Sequence, residues 1–143
     1  MLESSIVLYD DVLIDVNVGT PTKVEFDFMR IWQWKKLLGT AFRCDDLNFY
    51  HVHPQGLTEY SNLDKNCMEG LCMAFDSLFY FHIVTFSNDD IFDLWSNITS
   101  YRVSPCSDPE FLPVQIIEVP SEDAEIDENS LQLLKLLSYG GQE

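Results

Sequence analysis

The segment His51-Val52-His53-Pro54, followed by Ser61 and Asp64, constrains the fold more than any other stretch of the chain. In an extended strand alternate side chains point the same way, so His51 and His53 face one point while Val52 turns to the opposite side. Pro54 has no amide hydrogen for a ladder and ends the strand. Ser61 suits a helix N-cap, with Asp64 at the third helical position. The chain is therefore expected to run strand, loop, helix, and to bring the Asp64 carboxylate back to the two imidazoles. Two neutral imidazoles and one carboxylate are what a catalytic Zn²⁺ takes, with the fourth tetrahedral position left for water. The plainer alternative is that the histidines are satisfied polar residues on a half-exposed strand, and that Ser61 is only a cap.

Alternating and apolar runs predict the remaining elements. Residues 5–9 and Val12–Val18 read as a hairpin turned at Asp10-Asp11. Residues 23–28 read as a third strand. From 29 to 42 the apolar residues Ile31, Trp34, Leu37, Leu38 and Phe42 recur at helical spacing, with Gly39 a weak point. Strands are expected at 47–53, 78–86, 98–103 and Val114–Val119, and a helix from Ser61 to Phe75 with Leu63, Cys67, Leu71 and Phe75 on one face. Residues 104–113 read as a Pro-rich loop, and 121–128 as an acidic linker to a short helix docked by Leu131, Leu133, Leu134, Leu136 and Leu137. The expected fold class is mixed α/β, a sheet flanked by helices. Residues 1–119 form the domain, and 120–143 pack back on it.

Charge narrows the partners. Twenty-four acidic residues against eight basic ones give a net charge of −16. Such a surface repels nucleic acid and anionic membranes and favours basic partners. No apolar stretch reaches the length of a membrane span, and no signal peptide is evident, so the expected location is cytoplasmic. Cys44, Cys67, Cys72 and Cys106 show no paired zinc-ribbon spacing and are expected as reduced thiols. Cys67 and Cys72 would sit about 140° apart on their helix, off any shared ligand face. His82 is expected as a core or surface histidine, or as a group supporting the metal ligands.

His51-x-His53-Pro54, with Ser61 and Asp64 at their fixed spacing, resembles the motif of the JAMM (MPN-plus) zinc metallopeptidases, compact prokaryotic or viral type. The resemblance extends loosely from about Glu3 to about Val103. It implies a curved mixed sheet flanked by helices, here without the helix that usually opens the fold. It implies His51, His53 and Asp64 as ligands of one Zn²⁺, and Ser61 as the hydroxyl donor to an oxyanion. It also implies a glutamate base at the start of the first hairpin strand. Glu3 is in that place, with Ser4-Ser5 where the family usually has glycines; Glu25 is the runner-up. The implied activity is cleavage after the C-terminal glycine of a ubiquitin-like modifier, or of a related peptide bond. Two other functions remain open. One is an interaction module that binds metal with little or no turnover. The other is an acidic mimic of nucleic acid that blocks nucleic-acid-binding proteins.

Overall fold

A computed structural model describes residues 1–106, 114–120 and 126–141. The elements run β1 (Ser4–Tyr9), β2 (Val12–Val18), α1 (Phe28–Leu38), β3 (Leu47–Val52), α2 (Asn62–Phe75), β4 (Phe79–Phe86), β5 (Ser96–Pro105), β6 (Val114–Val119) and α3 (Glu128–Tyr139). The six strands form one mixed sheet in the order β2-β1-β3-β4-β5-β6. Only β3 and β4 are parallel; the other four pairs are antiparallel. Helix α2 is the crossover that a parallel pair requires.

Alternation along the strands builds a core on each face. Phe49 of β3 and Phe81 and Ile83 of β4 point to one face, where they meet Ile31 of α1 and Met68, Leu71, Cys72 and Phe75 of α2. Tyr50, Val52, Val84 and Phe86 point to the other and meet Leu134 and Tyr139 of α3. Among the described residues no helix is long and apolar enough to cross a membrane.

The hairpin closes through Asp10 and Asp11, both left-handed at φ 47° and 65°, as a tight two-residue turn requires. A bulge follows: Val7 pairs with Asp15, but Leu8 pairs with Leu13. Strict alternation would put Ile14 and Val16 on one face. The bulge instead gives Ile14 to one core and Val16 to the other, and buries Asp15.

Several expected elements are corrected. Residues 23–28 are not a strand. Both edges of β1 are already paired, by β2 and β3, and the segment bonds locally instead. Thr20 N donates to Lys23 O at 2.7 Å, and Asp27 N to Asp15 Oδ2 at 3.4 Å. Val24 and Phe26 are buried, and Asp27 becomes the N-cap of α1. That helix stops at Leu38 rather than 42, because Gly39 adopts φ 58° and a short 3₁₀ turn follows. Of its expected apolar face only Ile31 is fully buried; Leu37 is 75% exposed. Helix α2 has the expected span, but its buried stripe is Asp64, Met68, Leu71, Cys72 and Phe75, with Leu63 exposed. The stripe is rotated because Asp64 turns inward. Strand β5 is longer than 98–103 and takes in residues 104–105 of the expected loop. The rest of that loop at 107–113, and the acidic run at 121–125, lie outside the described residues.

Helix α3 carries a lysine in its core. Lys135 is fully enclosed, with Nζ 4.6 Å from the Phe86 ring centroid and 4.7 Å from that of Tyr139, and it donates to Asn88 O. The ammonium thus ties α3 to the chain that leaves β4. Lys135→Ala removes this packing and strands the Asn88 carbonyl, and is expected to cost about 2–4 kcal/mol. A lower urea midpoint at unchanged m would show it.

Candidate metal centre

Four side chains converge at the sheet end where β3 terminates. His51 is within β3, and His53 lies just past it, its amide bonded to Val84 O at 3.0 Å. Asp64 is carried inward by the first turn of α2. Glu3 precedes β1, opposite the ligand strand, where Ser5 pairs with His51. All four are buried, at 2–6% exposure.

Glu3 is firmly held although it is third in the chain. Its amide donates to Thr20 O at 2.8 Å, and its carbonyl accepts from Gly19 N at 2.8 Å. One residue earlier, Leu2 N donates to Ser138 O of α3 at 2.9 Å. Gly19 is required there, since an added Cβ would lie 2.0 Å from Lys23 O. Glu25 is excluded from this cluster: its side chain is 72% exposed and pairs with Lys23 at 3.1 Å.

The contacts are short and demand positive charge. His51 Nε2 lies 2.6 Å from Glu3 Oε1, and Nδ1 lies 3.0 Å from Asp64 Oδ1. His53 Nε2 lies 2.9 Å from Asp64 Oδ2 and 3.9 Å from Glu3 Oε1. His53 Nδ1 donates to Leu57 O at 3.1 Å, so in the neutral ring it is Nε2 that carries the lone pair, directed at the carboxylates. His51 Nδ1, though near Asp64, is not aligned for a hydrogen bond and is a buried orphan. Ser5 Oγ, on the paired residue of β1, is another. Facing lone pairs are stable only with a cation between them, either protons on the rings or a metal ion.

The donor set fits a metal. Glu3, His51 and His53 each offer a ligand atom within 4.8 Å of the others. Asp64 touches both imidazoles as well, through Oδ1 to His51 Nδ1 and Oδ2 to His53 Nε2, but the one set of three atoms within sharing distance among the described residues is that of Glu3, His51 and His53. The sequence assigns Glu3 the role of base beside the ligands; the structure also places its carboxylate within ligand reach. Two nitrogens and a carboxylate oxygen suit zinc. The His53–Leu57 bond fixes the ring as the outer partners of metal-bound histidines do.

Ser61 caps α2 as expected, in a reciprocal box. Asp64 N donates to Ser61 Oγ at 3.1 Å, and Ser61 N donates to Asp64 Oδ2 at 2.9 Å. Ser61 is exposed, at the edge of the buried cluster. The cysteines do not join it. Burial raises the Cys67 thiol to about 12 and the Cys72 thiol to about 11, far from thiolate.

Sequence reasoning missed Asp15. It is 2% exposed, accepts from Arg30 Nη1 at 3.1 Å and Asn17 Nδ2 at 2.7 Å, and holds the start of α1. Phe26, beside that anchor, stands edge-on to His51, Phe49 and Phe81 and keeps one side of the cluster apolar. The bulge that buries Asp15 leaves no mark on a simple alternating pattern.

His82 does not support the cluster. It faces the other side of the sheet, stacked on Tyr50 at 4.5 Å and bonded to Asn48 and Ser100.

Three groups set the stability of the metal-free protein in separate pH windows. Burial pushes the Asp64 pKa up, but contacts with His51, His53 and the Ser61 amide outweigh this and hold it below the usual carboxylate range. Its contribution is present above an unfolded value of about 4 and is lost as pH falls below that. Burial lowers the His51 pKa, but Asp64 and Glu3 outweigh it and the net shift is upward. That contribution is full below about 6.5 and is lost as pH rises through the folded value. Burial pushes His82 down to about 4. The folded state then resists a proton that the unfolded chain accepts, so roughly 3 kcal/mol is expected to be lost between pH 6.5 and 4. Urea midpoints of chelator-treated protein should fall across that interval, and His82→Gln should flatten the fall.

No protein-family model matches the chain, and no curated protein matches it in sequence.

Proposed function

We propose that the chain is a zinc-dependent isopeptidase or peptidase of the JAMM type, acting after the C-terminal glycine of a ubiquitin-like modifier or on a related peptide bond. The observation that carries this reading is the convergence of Glu3, His51, His53 and Asp64, from three separate elements, into one buried cluster short of positive charge. A structural cluster would need no second carboxylate and no orphaned imidazole nitrogen.

His51, His53 and Asp64 would hold the ion. When bound, zinc lowers the pKa of a coordinated water and polarises a carbonyl. The chain's residues supply the rest. Glu3 accepts a proton from the attacking water and returns it to the leaving amine. Ser61 donates its hydroxyl to the oxyanion of the tetrahedral intermediate. Phe26 and Phe81 exclude bulk water beside His51 and strengthen these charges.

Linear and lysine-linked fusions of a ubiquitin-like protein, incubated with zinc-loaded protein, test the reading. Cleavage after the terminal glycine, abolished by a chelator and restored by zinc, supports it. Bound zinc with no cleavage of any fusion would favour the interaction module instead. Ser61→Ala is expected to lower kcat by about 10²–10³ if the hydroxyl serves the oxyanion. The same change costs only about 1 kcal/mol of stability as a lost cap, so thermal melts separate the two roles.

A further inference from the structure

Two serines follow Glu3, and strand alternation sends them to opposite faces of the sheet. Ser4 points to α3, where its Oγ lies 2.7 Å from Ser138 Oγ and 3.4 Å from Leu134 O. Ser5 points the other way. It pairs with His51 of β3 on one side and with Asn17 of β2 on the other. Directly opposed residues share a face, so the Ser5 hydroxyl stands on the side of the sheet that carries the His51 ring. Glu3, two residues earlier, is on that face as well. Val7 and Phe49, the next opposed pair there, enter the same core.

Both serines are fully buried, yet only Ser4 is satisfied. Ser5 Oγ has no hydrogen-bond partner among the described residues. Asn17 does not supply one, since its amide nitrogen is bonded to Asp15 Oδ2 at 2.7 Å. A buried hydroxyl left unmet destabilises a fold, and alanine would fill the same space without that penalty. Packing therefore does not account for a serine here. His51 Nδ1 is the other unmet atom of this cluster. The two orphans, one able to donate and one able to accept, belong to cross-strand partners.

The two histidines then follow one pattern. His53 donates its Nδ1 hydrogen to Leu57 O at 3.1 Å and turns Nε2 to the carboxylates. His51 Nε2 and His53 Nε2 lie 2.6 and 3.9 Å from the same Glu3 oxygen, so both rings present Nε2 to one point. With Nε2 given to an ion, the neutral His51 ring carries its proton on Nδ1. Asp64 Oδ1, 3.0 Å from Nδ1, is not aligned with that hydrogen, and as a ligand its carboxylate would face the ion. Ser5 Oγ is the acceptor that remains, and it swings on a single side-chain bond. We propose, on the zinc reading already given, that Ser5 is a positioning residue of the metal centre: its hydroxyl accepts the His51 Nδ1 hydrogen and fixes the ring with Nε2 toward the ion.

Zinc affinity, measured by competition with a chromophoric chelator, tests this without reference to turnover. Ser5→Ala is expected to weaken zinc binding at least tenfold, as loss of an outer partner does, while the urea midpoint of the metal-free protein stays level or rises. Ser4→Ala is expected to do the reverse, lowering the midpoint and leaving zinc affinity within twofold. In zinc-loaded protein labelled with ¹⁵N, the His51 ring should carry its proton on Nδ1, exchanging with solvent faster in Ser5→Ala. Unchanged zinc affinity in Ser5→Ala, or a proton on His51 Nε2, would overturn the proposal and leave the zinc centre standing. A fall in both affinity and metal-free midpoint would mark Ser5 as structural and overturn it too. A wild-type protein that binds no zinc would overturn both the centre and the role of Ser5.

Discussion

Protein purified with zinc is expected to hold about one ion per chain, and His51→Ala is expected to leave less than about a tenth of that. Outer partners of metal ligands already change affinity by about 10–100-fold, and losing a ligand removes more. The size of the effect follows from the position of His51 between two carboxylates, 2.6 Å from Glu3 and 3.0 Å from Asp64. Without it, both acids face one another across an apolar pocket beside Phe26 and Phe81. Breaking such a buried arrangement costs about 3–5 kcal/mol, so the variant must also be shown to fold. Circular dichroism and a urea midpoint serve for that, and metal content by atomic emission gives the stoichiometry. Wild-type protein should gain about 4 kcal/mol at a thousandfold excess of free zinc over Kd, whereas a folded His51→Ala protein should gain almost none. A wild-type protein that binds no zinc, or a His51→Ala variant that binds it fully, would refute the centre itself.

Glu3→Gln is expected to keep the ion and lose turnover, by about 10²–10⁴ in kcat. Glutamine preserves the shape and can still bond to His51, but it cannot take a proton. The distinction matters because Glu3 belongs to the group of atoms able to share an ion and is also the acid nearest His51 Nε2. Retained zinc with lost cleavage assigns it the proton. A matching loss of zinc makes it a ligand. Cleavage at the wild-type rate removes it from the chemistry and leaves the proposed mechanism without a base. The backbone bonds that pin Glu3 to Gly19 and Thr20 do not involve the side chain, so the substitution leaves them in place.

Much of this was legible from residue spacing. His51 and His53 share a face because strand period is two, and Asp64 returns to them because Ser61 starts a helix where it does. The spans of β2, β6 and α2 followed from apolar patterning and punctuation. What was hidden depended on tertiary choices. The extended stretch at 23–28 looks like a strand, but no pairing edge of β1 was left for it. The stripe of α2 turned because the carboxylate was drawn to the imidazoles, overriding the apolar spacing of Leu63 and Cys67. Asp15 gave no signal, since an acid in an alternating strand normally faces solvent, and only the bulge turns it inward. Position at the start of the first hairpin strand favoured Glu3 over Glu25, but the exposure that excludes Glu25 was hidden, as were the backbone bonds that hold residues 2–3 and 19–20.

Asp64 Oδ2 already accepts the Ser61 amide, so this carboxylate does not rotate freely to meet an arriving ion. The bond that opens α2 also fixes the orientation of this carboxylate, which the proposed zinc centre uses as a ligand. If Asp64 holds the ion as proposed, fraying of that first turn and release of the ion are one molecular event. On warming, metal loss is expected to come as a local pre-transition, ahead of the cooperative melting of the sheet.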